Sequence, residues 1–139
     1  LEENVMVRVK RYVRRRFVKA PAPQLVGYKP ASQFEISMRP SDFLNAVGPR
    51  SREYISEEGV QKVMERMEGD LELDPLFLDV DLSRGKVVAH EGRHRAVAAE
   101  RLGIETIPVL VFIYKSREGY QEATVARIAR AKQILGRGF

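Results

Sequence analysis

Hydrophobic and polar positions follow two rhythms along this chain. A period of two marks Val5, Val7 and Val9 against Met6, Arg8 and Lys10, and again Phe34, Ile36 and Met38 against Glu35 and Ser37. Such alternation predicts strands, the second of them half-buried. Residues 76–80 form a short apolar strand, Leu82-Ser83-Arg84-Gly85 has turn chemistry, and residues 86–89 supply a return strand. Residues 107–114 are almost wholly apolar, as expected of a strand covered on both faces. A helical period appears at Val60, Val63, Met64 and Met67, after Ser56 as cap and before Gly69 as stop. Pro40-Ser41-Asp42 opens a shorter helix, with Ser41 or Asp42 available as cap, and Phe43, Leu44 and Val47 form its buried side before Gly48-Pro49. An alanine-rich helix spans residues 92–102 and stops at Gly103, and a last helix is expected over residues 118–135.

Strands interleaved with helices predict a compact α/β (mixed α+β) domain, a small mixed sheet with flanking helices. Ala20-Pro21-Ala22-Pro23 can continue neither a ladder nor a helix, so it reads as a stiff connector. The expected organisation is a basic extension over residues 1–23, a domain over 24–115 and a basic helical segment over 116–139. At 139 residues, with 44% hydrophobic and 31% charged positions, one domain can bury a real core. Cysteine is absent, which excludes disulfides, thiol catalysis and thiolate metal sites. His90 and His94 are the two histidines, too few for a histidine-rich metal cluster. No apolar run approaches the ~20 residues of a membrane span. The first residues are polar and charged, without the apolar segment of a secretory leader, so the expected compartment is the cytoplasm and no membrane partner is expected. The chain opens at Leu1 without methionine, as a fragment or processed chain would.

Charge changes the picture further. Residues 1–30 carry eight basic and two acidic residues, residues 31–114 ten and fifteen, and residues 115–139 six and two. Both ends are basic around an acidic middle. Within residues 11–19, Arg11, Arg14, Arg15, Arg16 and Lys19 surround Tyr12, Val13, Phe17 and Val18. The cations suit a phosphate backbone while Phe17 and Val18 anchor the segment to a core, which points to DNA. The rival reading is a solvated edge strand whose charges deter pairing with other edges.

The densest chemistry lies at Glu91-Gly92-Arg93-His94-Arg95, between an apolar run and the alanine-rich helix. The first N–H groups of a helix lack internal partners and sit at its positive pole, which favours an anion there. Gly92 permits an unusual φ and close approach of a ligand oxygen. Arg93 adds a cation, Arg95 can clamp a phosphate with two parallel bonds, and His94 can donate to it or move a proton. Glu91 can neutralise Arg95, hold magnesium or act as a base. Placing three such donors at an exposed helix start is wasteful for stability alone. The rival reading makes Arg93 and Arg95 surface residues paired with Glu100 or Glu105, with His94 half-buried.

With these residues goes a resemblance. Glu91-Gly92-Arg93-His94-Arg95, then Ala98-Ala99-Glu100-Arg101-Leu102-Gly103, then Ile107-Pro108-Val109 resembles the ParB/sulfiredoxin-like superfamily over about residues 34–114. The Met38-Arg39-Pro40-Ser41 junction and the helix after Ser56 agree with it in element order. The superfamily includes cytidine-triphosphate-dependent DNA partition clamps, sulfiredoxins, small-molecule kinases and nuclease-like proteins. The resemblance implies that a nucleoside triphosphate (CTP or ATP) or diphosphate is bound, with Mg2+ as a candidate companion, its phosphates at Gly92, His94 and Arg95. Glu91 matches the acidic position tied to metal or base chemistry. Arg93 stands where sulfiredoxins keep their reactive cysteine and matches an arginine of the partition proteins, so thiol chemistry is ruled out. Residues 116–139 leave space for one helix and not for the helix-turn-helix module of a full segregation factor.

Three readings follow. One is a nucleotide-binding module associated with DNA, for which a dimer is a natural state. Another is an enzyme, a phosphotransferase or a hydrolase of nucleotide or nucleic acid, with Glu91 or a nearby acid (Asp42, Asp79 or Asp81) as base and His94 moving a proton. The third is an accessory protein of viral or plasmid type that keeps the fold without catalysis. The first is favoured, because the chain offers few candidates for a general base.

Overall fold

The computed structural model describes residues 32–48, 50–69, 73–114 and 124–136. Their order is β1 (Ser32–Met38), α1 (Pro40–Val47), α2 (Glu57–Glu68), β2 (Leu76–Asp81), β3 (Lys86–Glu91), α3 (Arg93–Arg101), β4 (Ile107–Tyr114) and α4 (Thr124–Leu135). The strands form one mixed sheet in the order β1-β4-β2-β3, so the expected mixed class is the one adopted. The strand expected around Val5 to Val9, the basic residues 11–19, the connector 20–23 and part of the acidic link (70–72) lie outside the described residues.

β4 runs antiparallel to β1 and parallel to β2, with ladders on both sides. That central place explains why its sequence does not alternate. Pro108 pairs with Ser37 one residue before β2 joins at Val109, a strand-start position where a missing N–H is tolerated. The hairpin β2–β3 is antiparallel, with an irregularity after Asp79.

One sheet face carries Phe34, Ile36 and Met38 from β1, Leu76, Leu78 and Val80 from β2, and Val109, Val111 and Ile113 from β4. Residues of all four helices join this cluster. Full burial of each such aliphatic side chain contributes about 2 kcal/mol. The other face holds a separate, smaller group: Phe77, Phe112 and Tyr114, with Leu110 beside them.

Local chemistry sets the helix ends. Ser56 caps α2 by accepting the Gly59 N–H at 3.1 Å, and the Gly69 N–H closes on the Glu65 carbonyl, both as expected. α1 departs from expectation. Neither Ser41 nor Asp42 caps it; Arg39 is the N-cap, without a side-chain bond, and Pro40 begins the helix. The preset φ of proline and its absent N–H suit the first turn, so the helix starts one residue before either candidate cap. Asp42 instead accepts from Arg39 Nε at 3.1 Å. α3 ends in a Schellman arrangement: the Gly103 N–H bonds the Glu100 carbonyl, the Ile104 N–H bonds the Ala99 carbonyl, and Gly103 has φ 71°. Ala96, Ala98 and Ala99 are fully buried, and their small size lets α3 lie close on the sheet.

α4 is described from Thr124; residues 118–123 of the expected helix lie outside the described set. Its bases brace the fold. Arg127 donates to Ser32 Oγ at 2.9 Å, Arg130 donates to the Leu82 carbonyl at 3.1 Å, and Lys132 Nζ lies 5.9 Å from the Phe34 ring centre. Among the described residues no helix is long and apolar enough to cross a membrane.

Candidate functional site

β3 continues two residues beyond the expected 86–89, because His90 pairs with Leu78 and Glu91 with Phe77. Glu91 is therefore the last strand residue, and Gly92 alone makes the turn. Gly92 has φ 122°, and a Cβ there would fall 2.4 Å from Leu76 Cγ. Backbone conformation and packing both demand glycine. α3 then begins at once, with the Ala96 N–H on the Gly92 carbonyl at 2.8 Å. The N–H groups of Arg93, His94 and Arg95 precede the first intrahelical bond and form the mouth of the helix.

The three side chains at this mouth have distinct environments. Arg95 is 9% exposed. It donates to the Asp74 carbonyl just ahead of β2, and Nη2 lies 3.5 Å from Glu91 Oε1 at the end of β3. Burial pushes its pKa down, while Glu91 and Asp74 oppose that shift. Arg95 thus ties two strand ends together and is held in one place. His94 is half-buried, and its Nε2 accepts the Ser56 N–H at 3.0 Å. An accepting Nε2 places the ring proton on Nδ1 of a neutral imidazole. The close approach of α2 depends on Gly59, where a Cβ would stand 2.9 Å from His94 Cδ2. Arg93 reaches outward, its guanidinium carbon 5.9 Å from the ring centre of Tyr54, which is 63% exposed.

Two bidentate ion pairs hold the C-terminal end of α3 to the residues before and at the start of α2. Arg52 grips Glu100 at 2.6 and 2.8 Å, and Arg101 grips Glu57 at 2.7 Å through both nitrogens. The hydrogen bond from Arg52 is the main cause that lowers the Glu100 pKa. Glu100 is thus engaged with Arg52, and the rival pairing of Arg93 and Arg95 with Glu100 or Glu105 gives way to Tyr54 for Arg93 and to Asp74 and Glu91 for Arg95. His90 sits behind the mouth and is held neutral more strongly than usual, first by burial and then by the nearby Arg93.

The candidate bases are dispersed. Asp42 is engaged by Arg39. Asp81 accepts from the Ser83 N–H, Ser83 Oγ and the Arg84 N–H, closing the β2–β3 turn. Burial pushes the Asp81 carboxyl up, but these bonds outweigh it and leave the pKa lowered. Asp79 is on the second sheet face, 2% exposed, and burial pushes it up to about 6. Among the described residues no three His, Asp or Glu side chains gather to hold a metal ion. A magnesium ion at Glu91 would therefore draw its remaining ligands from phosphates and water, which is its usual habit.

Glu91, Gly92, Arg93, His94 and Arg95 are thus brought together, whereas Arg11, Arg14, Arg15, Arg16 and Lys19 lie outside the described residues. Ser56, Tyr54, Asp74 and His90 join the mouth without having been singled out by the sequence. Ser56 carried a signal as a helix cap, but its backbone N–H carried none. No family model, curated protein or solved structure matches this chain.

Proposed function

We propose that this protein is a ParB-like nucleotide-binding domain that associates with DNA, holding nucleotide phosphates at residues 91–95. The observation that carries this reading is the mouth of α3. Three backbone N–H groups that precede the first intrahelical bond follow a glycine of φ 122°, beside a fixed Arg95 and an outward Arg93. A helix start with flanking guanidinium groups suits an oxyanion of high charge, and a polyphosphate meets both. Glu91, 65% exposed and 3.5 Å from Arg95, is the carboxylate that would share a magnesium ion with such a ligand. DNA association rests on the basic residues 11–19 and their salt-dependent attraction to phosphate.

The binding reading is preferred to the enzymatic one because catalysis by Glu91 calls for a second acid beside it. Asp42 and Asp81 are committed to Arg39 and to the β2–β3 turn, and Asp79 lies among aromatic side chains.

Calorimetry with each nucleoside triphosphate, with and without Mg2+, tests the proposal. Arg93→Ala is the informative variant, because Arg95 also supports the fold. At least one triphosphate is expected to bind, and Arg93→Ala is expected to weaken it about tenfold with the melting temperature unchanged. Absence of binding by every triphosphate, or equal binding by Arg93→Ala, would sink the assignment. Turnover abolished by Glu91→Gln would move the protein to the enzymatic reading.

A further inference from the structure

The turn ahead of α2 presents an aromatic ring that the fold does not bury. Tyr54 is 63% exposed, and among the described residues Tyr54 and Val125 are the large hydrophobic residues left open to solvent. The turn itself is held firmly. Ser51 is buried, and Ile55 packs against the main core. The same segment meets α3 at three further points. Arg52 grips Glu100 with two bonds, the Ser56 N–H donates to His94 Nε2, and Glu57 accepts from Arg101 through both oxygens. Exposed ion pairs contribute little stability one at a time. Joined to the buried anchors, they fix where the turn lies. The Tyr54 ring is therefore displayed on a rigid support, beside the mouth of α3.

Arg93 forms the other half of this surface. Arg52, Arg95 and Arg101 each meet a carboxylate, whereas Arg93 enters no ion pair among the described residues. Its guanidinium carbon stands 5.9 Å from the Tyr54 ring centre, and Arg93 is the first residue of α3. One guanidinium at that distance leaves Tyr54 largely open. A cation without an acid, next to an open aromatic ring, matches a ligand that joins an anion to a planar ring. An inorganic polyphosphate or a sugar phosphate would use the cation and leave the ring idle. A nucleotide uses both, because every base has a π-face that stacks on an aromatic side chain.

We infer that Tyr54 is the stacking platform for the base of a nucleotide whose phosphates lie at the mouth of α3. This rests on the phosphate site proposed at residues 91–95. It adds the residue that makes the site prefer nucleotides to inorganic polyphosphate. Stacking on one exposed ring is tolerant of base identity, so Tyr54 separates nucleotide from polyphosphate and not one base from another.

The test is calorimetry on the full chain with the four nucleoside triphosphates and with inorganic tripolyphosphate, Mg2+ being present throughout. Wild type is compared with Tyr54→Ala and Tyr54→Phe. At least one nucleoside triphosphate is expected to bind wild type about tenfold more tightly than tripolyphosphate. Tyr54→Ala should remove that margin, weakening the nucleotide about tenfold and leaving tripolyphosphate unchanged. Tyr54→Phe keeps the ring and should bind both ligands within twofold of wild type. Unchanged nucleotide binding by Tyr54→Ala would overturn the inference. Equal weakening of both ligands would also overturn it, because Tyr54 would then act only as a support for Arg93. If tripolyphosphate binds wild type as tightly as every nucleotide, the platform is wrong and the phosphate site stands. If neither kind of ligand binds wild type, both fall. A second readout is the ring-proton resonances of Tyr54, assigned by their loss in Tyr54→Ala. They should move upfield on saturation with the nucleotide and stay in place with tripolyphosphate; a ring unmoved by bound nucleotide would overturn the stacking.

Discussion

The two faces of the sheet solve the same burial problem with different chemistry. On the helix-covered face, β2 presents Leu76, Leu78 and Val80, and every buried partner is apolar. On the other face the intervening residues of the same strand are Phe77, Asp79 and Asp81, set against Leu110, Phe112 and Tyr114. One face is satisfied by packing alone. The other contains a carboxyl whose Oδ1 has no hydrogen-bond partner and whose burial disfavours its charge. A single strand of six residues therefore separates a purely apolar face from one that buries an acid among aromatic side chains.

The sharpest way to break this contrast is at the seam where the aliphatic face meets the candidate site. Gly92→Ala forces a Cβ to 2.4 Å from Leu76 Cγ at a φ of 122°. It should destabilise the fold by about 4 kcal/mol, from strain and overpacking together. Thermal unfolding within two degrees or so of wild type would show that the turn relaxes freely. Leu78→Ala, in the middle of the aliphatic face, should cost about 3 kcal/mol independently of pH, as measured by urea unfolding.

The acidic face should behave differently, because its cost depends on ionisation. The folded state keeps the Asp79 proton up to about pH 6, whereas the unfolded chain releases it near 3.8. The stabilising contribution is then complete below the unfolded value and is lost as pH rises through about 6. Relative to Asp79→Asn, the wild-type chain should lose about 2 kcal/mol between pH 4 and 7. Parallel stability curves for the two proteins would contradict the burial of an unpaired carboxylate.

The smallest effect returns to the helix-covered side. Gly59→Ala should cost about 1 kcal/mol, because its Cβ meets His94 at 2.9 Å. In a His94→Ala chain the same change should instead stabilise slightly, since alanine is the better helix former. A sign that does not reverse would mean that His94 is not what keeps position 59 small.

Much of this protein was determined by sequence alone. The apolar periods placed β1, β4 and α2, and Ser56, Gly69 and Gly103 marked helix ends at the residues that serve there. These signals are legible because periodicity and capping act within a few residues. The turn at Gly92 was legible for the same reason, as was the grouping of residues 91–95. Tertiary structure alone decided what those side chains meet. Arg95 finds a carbonyl 21 positions away and His94 a backbone N–H 38 positions away. Asp79 lies under aromatic neighbours because β4 supplies Phe112 and Tyr114 to its face through the strand register. Hydrophobic pattern sets which side of an element is buried, whereas the identity of a polar partner depends on register and packing between distant segments, and that information is not local.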